Sequence, residues 1–69
     1  MLKARDIIRV LRILGFSPIR QVGSHIMFQH RDSRFTLIPR HGGEDIGRGL
    51  LRQILREAEI APEQFLEYL

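Results

Sequence analysis

The sequence predicts an α+β fold in which two helices pack on one face of a three-stranded antiparallel sheet and a short third helix follows. Two segments repeat apolar residues every three or four positions, which is the spacing of one helix face: residues 3–14, and a second segment from residue 47 or 48 to 58. Three short runs of strand-forming residues lie between them, separated by turn signals. Turns this short imply antiparallel pairing, and an antiparallel sheet can carry helices on one face and leave the other to water.

Length and composition predict one domain, which we expect to span residues 1–69. The lack of cysteine excludes disulfides and thiolate metal sites and suits a reducing compartment. No apolar run reaches the ~18 residues that a transmembrane helix needs. The charged residues at positions 3–6 argue against a signal peptide, so the expected location is the cytoplasm.

The basic residues are unevenly distributed and are almost all arginine. Residues 1–56 carry all 11 lysines and arginines, whereas residues 57–69 contain four glutamates and no basic residue. The planar fork of arginine binds two phosphate oxygens at once, which lysine cannot do. This pattern indicates a polyanion such as nucleic acid as partner, or else an ordinary solvated basic surface.

The first predicted helix, residues 3–14, is followed by Gly15, which suits the left-handed position that closes a helix. Its apolar face consists of Ala4, Ile7, Ile8, Leu11 and Leu14. Val10 and Ile13 widen this stripe. A cover is therefore expected there, either the C-terminal segment or a partner.

The three predicted strands are residues 19–22, 25–30 and 34–38, and Pro39 ends the third. Because proline cannot donate to a strand ladder, the first strand starts after Pro18 or lies at a sheet edge. Gly23 and Ser24 form the turn into the second strand.

Alternation in the second strand decides where its first residue points. Ile26 and Phe28 share one face, and the other face carries His25, Met27 and Gln29. If Ile26 and Phe28 face the helices, His25 lies on the open face of the sheet. A shift of one residue in register would reverse this placement.

Residues 40–45 are predicted to form a loop in which Gly42 and Gly43 supply backbone freedom. The second helix, predicted to start at Gly47 or Arg48 and to end at Ala58, has an apolar face made of Leu51, Ile54, Leu55 and Ala58. Pro62 suits the first position of a last short helix. The side chains expected to pack from that helix onto the core are Phe65, Leu66 and Leu69.

The second helix also carries Arg48, Arg52 and Arg56 at intervals of four residues, which puts them in one basic stripe. This stripe is interpreted either as a set of phosphate contacts or as an ordinary solvated face. The glycines near its start lack the lysine of a phosphate-binding loop, so they indicate no nucleotide cradle. The three histidines, at positions 25, 30 and 41, match no zinc spacing. We therefore expect neither a metal nor another cofactor.

Five pieces of the chain, in order and at these positions, match one known pattern. They are Arg20-Gln21-Val22-Gly23-Ser24-His25, the aromatic Phe28, Ile38-Pro39-Arg40-His41-Gly42, Gly49-Leu50-Leu51-Arg52-Gln53-Ile54-Leu55-Arg56 and Ile60-Ala61-Pro62-Glu63-Gln64-Phe65. As an ordered set they resemble the HicA family of bacterial toxins. The resemblance covers nearly the whole chain.

The resemblance implies an α-β-β-β-α fold similar to double-stranded-RNA-binding domains. It also implies an mRNA-cleaving ribonuclease that a HicB antitoxin holds inactive, with His25 of the Gly-Ser-His motif as the catalytic residue. Two positions depart from the family pattern. Leu50 replaces a frequent threonine, which removes a cap or phosphate contact, and Glu59 replaces a frequent glycine, which is expected to weaken the helix stop.

RNA can be cut without metal when a base takes the proton of a 2′-hydroxyl and the oxygen attacks the neighbouring phosphorus. Imidazole exchanges a proton near neutral pH, and such help contributes roughly 10²–10⁴-fold in rate. Cationic side chains would stabilise the charge that develops on the phosphate. The predicted RNA contacts are Arg20, Gly23, Ser24, Arg40, His41, Arg48 and Arg52.

Alternatives stay open for the histidines and for the function. His25 is either the catalyst or an exposed polar residue, His30 is expected to be a solvated turn residue, and His41 is a second proton-transfer group or a substrate contact. The chain is a ribonuclease, an RNA-binding module that does not cut, or an interaction protein that docks a partner on its open face. An antitoxin is expected to cover the His25 face, with opposite charge accelerating its association.

Overall fold

The computed structural model describes residues 2–69. Its elements are β1 (Leu2–Lys3), α1 (Ala4–Ile13), β2 (Phe16–Val22), β3 (His25–His30), β4 (Phe35–Pro39), β5 (Asp45–Ile46), α2 (Arg48–Ala58) and α3 (Pro62–Tyr68). β2, β3 and β4 form an antiparallel sheet with β3 at its centre, and β1 pairs with β5. The predicted three-stranded sheet, its two main helices and the short C-terminal helix are confirmed.

One hydrophobic core lies between the sheet and the helices. The buried apolar residues are Ala4, Ile7, Val10, Leu11, Phe16, Phe28, Ile38, Ile46, Ile54, Leu55, Ala58, Ile60 and Phe65. Each large side chain among them stabilises the fold by roughly 1.5–3 kcal/mol relative to leaving it in water. The apolar stripes predicted for both helices supply about half of these residues, and the sheet, β5 and the C-terminal segment supply the rest.

The register of β3 follows the predicted alternation. Phe28 is opposite Thr36, and Ile26 is opposite Ile38. Phe28 and Ile38 are buried, and Ile26 is partly buried against the core. Since neighbouring residues of a strand point to opposite faces, His25 lies on the face away from the helices.

β2 is longer than predicted. It begins at Phe16 instead of residue 19 and runs through Pro18, with an irregularity between Pro18 and Arg20. β2 is an edge strand, where proline is tolerated because its missing N–H need not belong to the ladder. β4 begins and ends one residue later than predicted and includes Pro39.

The loop after β4 is anchored to the start of α1. The backbone N–H of Ala4 donates to the carbonyl of Glu44 (2.9 Å), and that of Arg5 donates to the carbonyl of Gly42 (3.0 Å). Lys3 forms an ion pair with Asp45 across the β1–β5 pair. Two-residue strands leave no periodic signal in a sequence, so this pair was not predicted.

The C-terminal segment covers α1 only in part. Phe65 is buried as predicted, but Leu66 and Leu69 are 65% and 44% exposed, so the prediction that they pack on the core is wrong. Arg9 donates from Nη1 to the carbonyl of Tyr68 (3.2 Å), which joins α3 to α1. Ile13 is 54% exposed, so the cover expected over the whole stripe does not reach it.

The residue that ends α2 has the left-handed conformation that glycine usually adopts at the end of a helix. Glu59 adopts the left-handed conformation with φ +55°, and the N–H of Ile60 donates to the carbonyl of Leu55 (2.9 Å). The helix stop therefore forms without the glycine, at the expense of a strained glutamate. None of the helices between residues 2 and 69 is long and apolar enough to span a membrane.

Candidate active site

His25 is the first residue of the central strand and follows a two-residue turn. A type II′ turn requires a positive φ at its first central residue and a negative φ at its second. Gly23 has φ +60° and Ser24 has no positive φ, so both residues meet this requirement. The carbonyl of Ser24 accepts the N–H of Arg40 (2.9 Å). This bond fixes the turn to the residue that follows β4.

Apolar residues flank His25 on both neighbouring strands. Val22 is its partner in β2, and Pro39 is its partner in β4. The bond between Ser24 and Arg40 places His25 and Pro39 in a non-hydrogen-bonded pair, in which side chains come closest. The imidazole is therefore half-buried between two stiff side chains on the open face.

The hydroxyl of Ser24 lies near one ring nitrogen of His25. The Oγ to Nδ1 distance is 3.4 Å, which is a long hydrogen bond. The hydroxyl can donate to Nδ1 or accept from it, depending on the tautomer of the imidazole. The contact occupies Nδ1 and leaves Nε2 as the nitrogen for a substrate.

Arg20 lies on the same face of the sheet as His25, whereas Arg40 is joined to the turn before His25 by its backbone. Arg20 is opposite Met27, two residues along β3 from His25 and on the same face. Arg40 is exposed and comes directly after Pro39, the partner of His25. The sheet therefore brings Arg20 to the His25 face and the backbone of Arg40 to the neighbouring turn.

Arg48 and Arg52 lie on the helix side of the sheet. The C-terminal end of α2 is fixed to the start of β4, because Arg34 donates from Nη1 to the carbonyl of Ala58 (2.7 Å). The N-terminal end of α2, which carries Arg48, therefore points towards the Pro39 end of β4. Arg48 shares one end of the molecule with His25 but is separated from it by the sheet.

His30 and His41 have different surroundings. His41 is exposed, and its carbonyl accepts the N–H of Glu44 (3.0 Å). The side chain of His30 is only 19% exposed, and its ring meets Phe16 edge-to-face at 5.3 Å. The prediction that His30 is a solvated turn residue is wrong, because the chain folds it against the start of β2.

Arg34 binds the carboxylate of Asp32 in the turn after β3 and lowers its pKa. Its Nε donates to both carboxylate oxygens of Asp32 (3.0 and 2.8 Å), and its backbone N–H donates to the same side chain (3.1 Å). Desolvation would raise the pKa of the Asp32 carboxyl. The backbone N–H and guanidinium of Arg34, with a smaller effect of His30, outweigh it and hold that pKa below its ordinary value.

No group of three metal-binding side chains occurs between residues 2 and 69. The residues described around His25 are the hydroxyl of Ser24, the apolar Val22 and Pro39, and Arg20 on the same face of the sheet. This set can bind a phosphate and move a proton.

Comparison with known proteins identifies the family. A family model described as the HicA toxin of bacterial toxin–antitoxin systems matches residues 4–60. The match begins at the first residue of α1, ends just after α2 and includes the whole three-stranded sheet with His25. A search of curated proteins gave no match. The chain therefore belongs to the HicA family and is a toxin of a toxin–antitoxin system, with an antitoxin as its partner.

Proposed function

We propose that this toxin is a metal-independent endoribonuclease that cleaves mRNA, with His25 as its general acid and base. The observation that supports the proposal is the position of His25 at the start of the central strand, on the face that the helices leave open. An RNA backbone can approach that face without displacing the core. Val22 and Pro39 limit the motion of the imidazole from either side.

The proposed reaction needs one imidazole and no metal. His25 takes the proton of a 2′-hydroxyl, and the freed oxygen attacks the adjacent phosphorus. The bond from phosphorus to the 5′-oxygen breaks, and the imidazolium returns the proton to that leaving oxygen. The products carry a 2′,3′-cyclic phosphate and a 5′-hydroxyl.

The proposed RNA contacts divide into two groups. Arg20, on the His25 face, and Arg40, which directly follows Pro39, would stabilise the negative charge on the reacting phosphate. The turn residues Gly23 and Ser24 would allow close approach of the backbone and offer a hydroxyl. The other predicted contacts, at the loop and the helix start, are His41, Arg48 and Arg52.

We further propose that the antitoxin is of the HicB type and inhibits by covering the His25 face. Val22 and Phe35 are 40% and 49% exposed on that face, and Arg20 lies between them. An apolar surface with an arginine suits a shape-matched acidic protein. RNA cleavage and antitoxin binding would both take place in the cytoplasm. Purified antitoxin should suppress RNA cleavage at equimolar ratio, and a Phe35→Glu toxin, changed away from His25, should escape this suppression.

The decisive experiment is the substitution His25→Ala. Cleavage of a long mRNA should fall by roughly 10²–10⁴-fold, while unfolding and RNA binding change little. Arg12→Gln, an exposed residue of α1 outside the proposed site, is the control, and all assays are run with and without a chelator. Undiminished cleavage by the His25→Ala protein would exclude His25 as the catalyst, and cleavage lost only with chelator would exclude the metal-free reaction.

One observation favours a second candidate, an RNA-binding module that does not cut. Within residues 2–69 the side-chain hydrogen-bond partner of His25 is the hydroxyl of Ser24, and no carboxylate or second histidine contacts the ring. An imidazole without such a partner is also suited to simple phosphate binding. Wild-type protein that binds RNA but never cleaves it would establish this alternative.

A further inference from the structure

We propose that the toxin has a second RNA subsite, a depression at the far end of the His25 face where Arg31 binds a backbone phosphate remote from the cleaved bond. The proposal rests on the proposed ribonuclease function. The depression has a volume of about 490 Å³ and its polar lining consists of Ser17, Gln29, His30, Arg31 and Ser33. It lies five residues along β3 from His25.

The depression opens on the sheet face that carries His25. Gln29 lies four residues after His25 in β3, so both side chains point to the same face of the sheet. Ser17 of β2 is the strand partner of Gln29. Positions 25 and 29 are about 13 Å apart along an extended strand. A single strand of RNA that lies along β3 with its reacting phosphate at His25 would therefore reach the depression with a nucleotide further along its backbone, in either direction.

Arg31 is an available cation beside this depression. It is exposed, and no ion pair to it occurs among residues 2–69. The neighbouring carboxylate of Asp32 is held by Arg34 at 2.8 Å, so its charge is already partly compensated. Glu57 and Glu59 line a separate depression beyond Arg34. An anion at Arg31 would therefore meet little opposing charge.

The wall of the depression is stiff because His30 is fixed on several sides. Its Nδ1 accepts the N–H of Asp32 (3.1 Å), and its ring packs edge-to-face on Phe16. Its Nε2 lies so close to Gly15 that a Cβ there would stand 2.8 Å away. A wall that is already ordered loses little entropy on binding a ligand.

The chemistry of the lining indicates a phosphate and its sugar more than a protein. Hydroxyl, amide, imidazole and guanidinium groups surround one exposed apolar side chain, Ile19. The centre of a protein interface is depleted in charge and enriched in aromatic residues. Ser33 also keeps its hydroxyl at the rim although its φ of +84° would suit glycine better.

The test compares two RNA lengths in a His25→Ala background, where cleavage is expected to be too slow to disturb a binding measurement. A random-sequence dinucleotide can fill only one site, whereas a random-sequence RNA of about six nucleotides can span both. The longer RNA should bind about tenfold more tightly, and Arg31→Gln should remove this gain. Arg31→Gln should also lower the slope of log affinity against log salt by about 0.7. Arg12→Gln, which removes an exposed arginine outside the lining, should change neither quantity.

Three results would overturn the subsite. If Arg31→Gln keeps the gain with length while otherwise wild-type protein still cleaves RNA, the subsite is wrong and the ribonuclease function stands. If Arg31→Gln weakens only the binding of the antitoxin, the depression is a protein contact. If neither RNA binds and wild-type protein does not cleave, the ribonuclease function fails and the subsite with it.

Discussion

The hydroxyl of Thr36 in β4 donates a 2.8 Å hydrogen bond to a carboxylate oxygen of Glu57 in α2. Thr36 is completely buried, whereas Glu57 is exposed and also accepts a bond from Gln53 (3.1 Å). The pair joins the end of α2 to the edge of the sheet. It therefore fixes the direction of the helix whose other end carries Arg48.

The two partners of this bond should respond unequally to substitution. Glu57→Ala leaves a buried hydroxyl without its acceptor and should lower the free energy of unfolding by about 1–3 kcal/mol. Thr36→Val leaves an exposed carboxylate that water can solvate and should cost about 1 kcal/mol. Denaturant unfolding measures both values. The double variant should lose less than the two single losses added together, and strict additivity would show that the bond contributes nothing.

Glu59→Gly should stabilise the protein. Glu59 has φ +55°, and a left-handed conformation costs a residue with a Cβ roughly 1–2 kcal/mol. Glycine avoids this strain but gains entropy in the unfolded chain, so the net gain should be about 0.5–1 kcal/mol. Thermal unfolding should show a higher midpoint. Glu59→Gln, which keeps the Cβ, is the control, and an equal rise in both variants would contradict the role of φ.

The stability of the β3–β4 turn should fall in acid because of Asp32. The pKa of its carboxyl is lower in the folded protein than in the unfolded chain, so the unfolded chain binds more protons in this range. The contribution of Asp32 is complete above its unfolded pKa of about 3.9 and is lost as the pH falls through the lower folded value. Carboxyl titration by NMR in Arg34→Gln protein should find the pKa of Asp32 raised. An unchanged pKa in that variant would contradict the assigned cause.

Arg20 and Arg48 should differ in their effect on RNA cleavage. Arg20 lies on the His25 face, whereas Arg48 starts the helix on the other side of the sheet. Arg20→Gln should therefore lower kcat/KM by about tenfold, because it removes a charge beside the reacting phosphate. Arg48→Gln should act mainly through KM and weaken with added salt. A larger loss of kcat in Arg48→Gln would mean that RNA approaches from the helix side.

Sequence reasoning found the parts of the fold that have a long periodic signal. It predicted the second strand with both ends correct and a second helix from residue 47 or 48 to 58, which the structure has at Arg48–Ala58, since each repeats apolar residues on one face. It missed the β1–β5 pair, whose two-residue strands have no period. It also placed Leu66 and Leu69 in the core, because periodicity alone does not tell how far a short helix is covered.

Local pattern also predicted part of the candidate site. Alternation along β3 placed His25 on the open face, and the turn at Gly23 and Ser24 followed from residue type. The separation of Arg48 from His25 by the sheet was not predictable, since it depends on how α2 crosses β4. The stiff depression beside Arg31 also required the structure, because Gly15 and His30 are distant in sequence.

The sequence by itself determined the order of elements, the face of β3 that carries His25 and the family to which the chain belongs. These properties depend on local periodicity and residue type, which the sequence contains directly. Only the tertiary structure decided which arginines share a side with His25, how Thr36 meets Glu57, and that Glu59 accepts a glycine conformation. Those relationships join residues far apart in the chain, and packing around one core selects them.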